Sequence, residues 1–491
     1  MRMSLRRGAS RKIGMGGDRK CDVCIIGAGS AGLSVAAGVA QLGLSTVLVE
    51  AGLMGGDCLN TGCVPSKSLL AAAKLMHAHR NPTFAGVPPH EFVTDRAAVN
   101  AHVRGTIATI APHDSVARFE GLGVHVIKAH ARFLDAGRLH AGSETIAAKT
   151  FVVATGSTPS IPPIPGLDPA RVLTNETIFG LDVVPEHLVV IGGGPIGIEM
   201  AQAHRRLGSR VTVVETNTIL PKDEPELVEV VRRTLSGEGI DILEGGSVTS
   251  LAHSDGGTTV TVATSGGERS LAASHVLVAT GRTVTVDGLD LDKAGVAHGP
   301  KGITVDARLR TSNRRIYAIG DAAGGPQFTH VAGYHAGIVV RNIAFRLPAR
   351  VDYRALPWVT YTDPELAHVG LTLAEARARH GDRAQFLMLP FTGLDRAVAE
   401  RRTEGSIKVV ADRGGRILGC SIVGAGAGEL IGLWALAIDR RLTLRHIAGL
   451  VLPYPTYSEI GKQVAGAWYK PSLFSDRTRW LVRLIGKLPV F

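Results

Sequence analysis

The chain has 491 residues, 45% hydrophobic and 20% charged, with 60 glycines, 5% aromatics and five cysteines. That length supports about three domains of ordinary size, and so few cysteines exclude a disulfide-framework protein. The net charge of +11 sits at the ends: residues 1–20 carry seven Lys/Arg against one Asp, and residues 467–491 carry five against one. The body between is near neutral, so no nucleic-acid partner is expected of the folded core. No window reaches the about 18 apolar residues of a membrane span, and no secretory apolar stretch opens the chain. A cytoplasmic location is the resulting expectation.

Residues 1–20, rich in Arg, Lys, Gly and Ser, are expected to form a disordered basic arm. Residues 22–32 then read as strand, tight glycine turn and helix. Gly27, Gly29 and Gly32 fit G-x-G-x-x-G, residues 46–50 supply a second strand, and Glu50 follows Gly32 by 18 residues. The same unit returns at 188–197. There Gly192, Gly194 and Gly197 repeat the spacing, 211–215 is the second strand, and Glu215 again follows by 18. One such motif is a weak signal. Two copies, each between strand and helix and each with an acid at the ribose distance, predict two bound dinucleotides. The glycines let backbone approach a pyrophosphate seated on the helix N-terminus, and the carboxylate accepts from a ribose. Glu215 repels a 2′-phosphate, and neither Thr216 nor Asn217 binds one, so NADH is expected in preference to NADPH.

Between the two units lies Gly55-Gly-Asp-Cys58-Leu-Asn-Thr-Gly-Cys63-Val-Pro-Ser-Lys67. Pro65 stands near the start of a helical run read as 67–79, as its fixed φ favours. The cysteines therefore sit at or just before a helix N-terminus, where the dipole stabilises thiolate. Four intervening residues, Gly62 among them, let the sulfurs meet, and outside an oxidising compartment such a pair is catalytic rather than structural. Cys21 and Cys24 have CxxC spacing but fall in a predicted strand, and no resident metal site is expected. Further along, 152–156 and 276–281 are similar strand-then-Ala-Thr-Gly units, and 316–321 ends in Gly-Asp. After about residue 350, strand-like runs (406–410, 417–423) alternate with a helical one (429–437), which predicts a separate α+β domain.

The Gly-Gly-x-Cys-x4-Cys-x-Pro-Ser-Lys run, both G-x-G-x-x-G units, both Ala-Thr-Gly motifs and Ala318-Ile-Gly-Asp321 resemble the pyridine nucleotide–disulfide oxidoreductases, from about residue 21 to 470. That family includes dihydrolipoamide dehydrogenase, glutathione reductase and mercuric reductase. The resemblance implies an α/β fold: two Rossmann-like dinucleotide-binding domains plus an α+β C-terminal dimerisation domain. The segments would be an FAD-binding domain at 21–160, an NAD-binding domain at 161–283, an FAD-binding return at 284–350 and a dimerisation domain at 351–470, followed by a basic tail at 471–491. It further implies that Gly27, Gly29, Gly32 and Glu50 hold FAD, with Thr155, Gly156 and Asp321 on the flavin side. Cys63 would be the charge-transfer thiol and Cys58 the interchange thiol. Lys67 would stand near the flavin and pair with Glu199. Gly192, Gly194, Gly197, Glu215, Gly281 and Arg282 would line the nicotinamide dinucleotide site.

The sequence departs from its relatives at the C-terminal segment. Lipoamide and glutathione enzymes take a His-Pro-x-x-x-Glu from the partner subunit as acid–base. Here Pro455 and Glu459 align, but Tyr454 replaces histidine. A tyrosine near pKa 10 is a donor rather than a base, so Tyr454 and Glu459 are expected as proton donor and orienter in an obligate homodimer. Tyrosine here is similar to mercuric reductase, although that enzyme's C-terminal vicinal cysteines have no counterpart, no cysteine following Cys420. Pro195 stands where many relatives carry a tyrosine over the flavin. In the tail, Ser475 reads as an N-cap, with Trp480, Leu481, Leu484, Ile485 and Leu488 on one helical face, a pattern that fits packing against the protein's own dimer, docking of a partner, or peripheral membrane contact through 471–491. The expected activity passes electrons from a nicotinamide through FAD and the Cys58–Cys63 disulfide to a disulfide, metal ion or other small thiol-reactive acceptor. A dihydrolipoyl dehydrogenase and a membrane-surface NADH:quinone carrier are the alternatives.

Overall fold

The structure is a computed structural model that describes residues 18–488. Residues 1–17 of the expected basic arm and 489–491 of the tail lie outside the described residues. Asp18–Lys20, assigned to that arm from sequence, instead open the first strand, Asp18–Ile26. Backbone pairing with Glu144–Val153 begins at Asp18 opposite Thr145, and Arg19 Nε lies 2.5 Å from Glu144 Oε2. Paired backbone and a charge partner order the segment that composition alone leaves loose.

The chain divides into two compact units. The first comprises residues through Asn60, Ala108–Thr158 and Thr283–Val351; the second comprises Thr61–Ile107, Pro159–Arg282 and the chain from Asp352 onward. Residues 61–107, expected within a 21–160 domain, thus group with the second unit. The cause is packing: Leu69 and Ala73 of the helix Cys63–Arg80 share one apolar cluster with Ile198, Met200 and Ala201 of the helix Pro195–Arg206. Arg80 adds a 2.6 Å hydrogen bond from Nη1 to the carbonyl of Arg206.

The first unit is built on a seven-stranded sheet. Val124–Lys128, Thr46–Glu50, Asp18–Ile26 and Glu144–Val153 run parallel in that order. The ten-residue strand Glu144–Val153 serves three neighbours: besides Asp18–Ile26, its first half pairs antiparallel with Arg138–Ala141, and its last three residues pair parallel with Ile316–Ala318. The central strands read as almost unbroken apolar runs because both faces are covered, as a parallel sheet requires. Helices Ser30–Gln41 and Thr329–Ala344 close one face, where Val23, Ile25, Val35, Val39 and Val339 are fully buried.

The second unit holds three sheets. Ile240–Glu244, Arg210–Glu215, His187–Ile191 and His275–Val278 form a parallel four-stranded sheet, next to an antiparallel meander over Ser247–Ala273. The C-terminal part is a five-stranded antiparallel sheet in the order Pro357–Thr360, Glu365–Gly370, Ile417–Gly424, Ser406–Asp412, Ala384–Pro390. Helices Ala427–Asp439 and Glu459–Leu473 pack on it through Trp434, Ile460 and Val464. The tail helix Asp476–Ile485 follows, capped by Ser475, whose Oγ accepts from the Thr478 amide. Among the described residues no helix is long and apolar enough to cross a membrane.

Candidate active site and cofactor cradles

The two glycine turns repeat each other atom for atom in kind. In the first unit, Gly27 holds φ +103°, and a Cβ there would lie 2.3 Å from the Ala154 carbonyl. In the second, Gly192 holds φ +116°, and its Cβ would lie 2.5 Å from the Ala279 carbonyl. At the third position the helix presses on the turn: a Cβ on Gly32 would stand 1.8 Å from Gly27 O, and one on Gly197 2.0 Å from Gly192 O. Protein backbone alone therefore demands glycine at the first and third positions.

The middle glycines answer to something else. Gly29 and Gly194 are the N-caps of Ser30–Gln41 and Pro195–Arg206, and neither helix start receives a side-chain cap. A Cβ on Gly29 would meet nothing closer than 3.9 Å, and one on Gly194 nothing within 4 Å. Glycine there keeps the surface over two uncapped, amide-rich helix ends clear, as a dinucleotide pyrophosphate requires. The acids repeat too. Glu50 accepts from the Ala28 amide at 2.5 Å and from Gly52 at 2.6 Å; Glu215 accepts from Gly193 at 2.7 Å and Asn217 at 2.9 Å. Backbone amides fix each carboxylate at the lip of its turn; Glu215 Oε1 also accepts from Thr216 Oγ1 at 3.1 Å, which leaves Glu215 Oε2 and both oxygens of Glu50 with a lone pair for a ribose hydroxyl. The residues fit two dinucleotides.

Around the first turn the strand ends are tied together. Thr155 Oγ1 donates to the Thr285 carbonyl at 2.5 Å, and the Thr285 amide donates to Gly156 O at 3.0 Å. Ser157 Oγ donates to Asp321 Oδ2 at 2.5 Å. Buried His335 accepts the Gly320 amide at Nδ1, 3.1 Å away, next to Asp321. Burial pulls the imidazole pKa down to about 4, so this prop is neutral at pH 7.

Cys63 and Lys67 belong to the second unit. The helix that was read from Lys67 starts four residues earlier, at Cys63, with Gly62 as N-cap and Pro65 in the first turn, where a missing N–H does no harm. Cys63 is exposed at this uncapped helix end, where the dipole favours thiolate. Cys58, half-buried, lies on the five-residue helix Gly56–Asn60 of the first unit. One turn on from Cys63, Lys67 Nζ sits 2.8 Å from Glu199 Oε2. Glu199 is buried and its other oxygen accepts the Tyr361 amide at 2.9 Å. The Tyr361 ring lies beneath the ammonium, 4.4 Å from Nζ to centroid. Burial pushes the Tyr361 phenol above its usual pKa, with Lys67 opposing and Glu199, Glu365 and Cys63 reinforcing. The sequence reading missed Tyr361. It missed Asn175 as well: this buried amide donates to the Thr61 carbonyl at 3.1 Å and accepts from Arg282 Nη1 at 3.4 Å. Gly281, beside Arg282, accepts the Ser160 amide at 2.9 Å.

The C-terminal segment differs from expectation. Tyr454 is 70% exposed, and its hydroxyl donates to Asp395 Oδ2 at 2.8 Å. Glu459, expected as its orienter, opens the helix Glu459–Leu473 and accepts a long 3.4 Å bond from the Thr456 amide instead. The Asp395 hydrogen bond raises the Tyr454 pKa above its usual value, and the Glu459 carboxylate adds to the effect. The remaining cysteines are plainly different in kind. Cys21, Cys24 and Cys420 are buried, and desolvation pushes Cys21 up to about 12 and the other two well above the usual thiol value.

Comparison with known proteins agrees with this geometry. Residues 21–336 match the pyridine nucleotide-disulphide oxidoreductase family, and residues 356–465 match its dimerisation domain. A mercuric reductase of Streptomyces lividans is 36% identical over 90% of this chain and 95% of its own. One of Bacillus cereus is 34% identical over 90% of this chain and 70% of its own. Among solved structures, the Cu(II) complex of the HOCl-induced flavoprotein disulfide reductase RclA of Escherichia coli superposes with a TM-score of 0.81 at 27% identity, covering 91% of this chain and 99% of that one. LpdA of Mycobacterium tuberculosis gives 0.82 at 27%, with the same coverage. The dimerisation domain supports a homodimer. The chain belongs to the pyridine nucleotide–disulfide oxidoreductase family and is an FAD-dependent oxidoreductase that uses NAD(P)H.

Proposed function

We propose that this enzyme passes electrons from NADH to a thiol-reactive metal ion, Hg(II) being the reference acceptor, through the Cys58–Cys63 pair. The observation that carries the choice of acceptor is Tyr454: where disulfide-reducing relatives place an imidazole, this chain exposes a phenol whose proton is already engaged by Asp395. The mercuric reductases similar to it over nine-tenths of its length support the same reading. In net terms, NADH and Hg(II) become NAD+, a proton and Hg(0).

When bound, FAD takes a hydride from the nicotinamide and supplies two electrons to a disulfide. The chain's own residues do the rest. Gly27, Gly29, Gly32 and Glu50 seat the FAD adenosine and pyrophosphate, with Thr155, Gly156 and Asp321 toward the flavin. Gly192, Gly194, Gly197, Glu215, Gly281 and Arg282 seat NADH. Cys63 holds thiolate at its helix N-terminus, and Cys58 meets the acceptor. Glu199 anchors the Lys67 ammonium near the flavin, and Tyr454 of the partner subunit faces the pair.

One experiment tests both ends of this path. After anaerobic two-electron reduction, reoxidation is followed with Hg(II), lipoamide, glutathione disulfide and a quinone. Hg(II) is expected to reoxidise the enzyme at least about tenfold faster than either disulfide; a faster lipoamide reaction overturns the assignment. With NADPH in place of NADH, kcat/KM is expected to fall at least about tenfold, because Glu215 meets the 2′-phosphate with a fixed negative charge.

We also infer that the tail helix Asp476–Ile485 rests on an anionic lipid surface. Trp480, Leu481, Leu484, Ile485 and Leu488 are all 47% or more exposed, and Arg479, Arg483 and Lys487 flank them. Apolar residues bordered by cations complement anionic headgroups. The helix also lies beyond the matched dimerisation domain, which ends at residue 465. The full chain is expected to float with phosphatidylglycerol vesicles and not with phosphatidylcholine ones, and deletion of 472–491 to abolish flotation. Undiminished flotation after deletion refutes this placement.

A further inference from the structure

A neutral phenol has one proton to give. In this structure Tyr454 gives it to Asp395, over 2.8 Å, so the lone pairs of the exposed phenol oxygen are what remain to meet a ligand. The surroundings reinforce that polarity. Asp395 and Glu459 are the charged groups that act on the phenol. Arg396, next to Asp395 in the chain, is itself paired with Glu400.

We propose that Asp395 is a positioning residue that turns Tyr454 into a hydrogen-bond acceptor, so that the site selects cationic acceptors over disulfides. This rests on the reading that Tyr454 of the partner subunit faces the cysteine pair. The selection follows from proton balance. Reducing a disulfide with two electrons releases two thiolates, which take up two protons to become thiols. Reducing Hg(II) with two electrons gives Hg(0) and takes up none. A phenol whose hydrogen points away from the acceptor cannot protonate a departing thiolate, whereas its oxygen and two neighbouring carboxylates attract a cation. The usual imidazole does the opposite work, which is why its replacement alone does not define the site. Asp395 supplies the direction.

The test uses the holoenzyme and two probes, Hg(II) and lipoamide, and reads the ratio of their kcat/KM values. Asp395→Ala frees the hydroxyl to rotate and donate, so the lipoamide-to-Hg(II) ratio is expected to rise about tenfold. Asp395→Asn keeps an accepting oxygen and is expected to hold the ratio within about twofold of the parent. Asp395→Leu is a second truncation should the alanine variant fail to accumulate. Tyr454→Phe has neither an accepting oxygen nor a proton to give and is expected to lower kcat/KM for Hg(II) while leaving that for lipoamide within about twofold, whereas in Asp395→Ala the lipoamide reaction itself should speed up. A spectrophotometric alkaline titration, with Tyr454→Phe as reference, should show the Tyr454 phenol ionising at lower pH in Asp395→Ala than in the parent. An unchanged or lowered ratio in Asp395→Ala, with Tyr454→Phe impaired, overturns the proposal. If Tyr454→Phe alters neither reaction, the placement of Tyr454 opposite the cysteines fails instead.

Discussion

Cys63→Ser is expected to lower kcat/KM for Hg(II) at least about a thousandfold, and Cys58→Ser to do nearly the same. A serine hydroxyl stays protonated where a thiol at a helix N-terminus ionises, and oxygen cannot form the reducible bond that carries the two electrons. Cys63 holds that N-terminal position, whereas Cys58 lies on a helix too short to lend it much of a dipole. Cys63 should therefore be the more acidic thiol. In the reduced holoenzyme iodoacetamide should nevertheless label Cys58 first, because Cys58 meets the acceptor whereas the flavin covers Cys63. NADH-driven reduction of a quinone, which needs FAD and no sulfur, should survive both substitutions. Cys420→Ser gives the contrast. Its thiol is 1% exposed in the apolar core of the C-terminal sheet, so the change should reduce stability by about 1–2 kcal/mol and leave turnover alone. Full Hg(II) activity in Cys58→Ser would remove the cysteine pair from the electron path.

What could be read from sequence was whatever the chain states locally. Each glycine turn compresses strand, turn, helix and ribose acid into one short local stretch, and Thr46–Glu50 forms the second strand at the residues expected. The Cys63 helix was legible in kind but not in its start, because a proline in the first turn reads equally well as a boundary and as a permitted third residue. Asp395 was not legible at all. It lies 59 residues from Tyr454, whereas Glu459 is five away and matches a known spacing, so only the local carboxylate announces itself. Tyr361 and Asn175 escaped for the same reason: their partners Glu199 and Thr61 are 162 and 114 residues distant. The grouping of 61–107 with the second unit is likewise a matter of side-chain packing, Leu69 and Ala73 against Ile198, which no periodicity announces.

The glycine turns separate a fold requirement from a ligand requirement, and alanine scanning should split them. Gly32→Ala places a methyl group 1.8 Å from the Gly27 carbonyl, and Gly197→Ala does the same at 2.0 Å from Gly192. Helix and turn must then move apart, and a loss of about 3 kcal/mol or more is expected, seen as a lowered Tm or as no folded protein. Gly29→Ala and Gly194→Ala add the same methyl group where the protein itself offers no obstacle: the nearest atom is Gly56 Cα at 3.9 Å in the first case, and there is none within 4 Å in the second. The apoprotein Tm should stay within a few degrees of the parent. The methyl group would instead stand over the helix N-terminus, where the pyrophosphate must approach. Gly29→Ala is therefore expected to weaken FAD retention about a hundredfold, and Gly194→Ala to raise the KM for NADH about tenfold with FAD still bound. The two middle glycines thus assign the two dinucleotides to their separate turns. If Gly194→Ala stripped FAD and Gly29→Ala spared it, the assignment of the cofactors to the two units would be reversed.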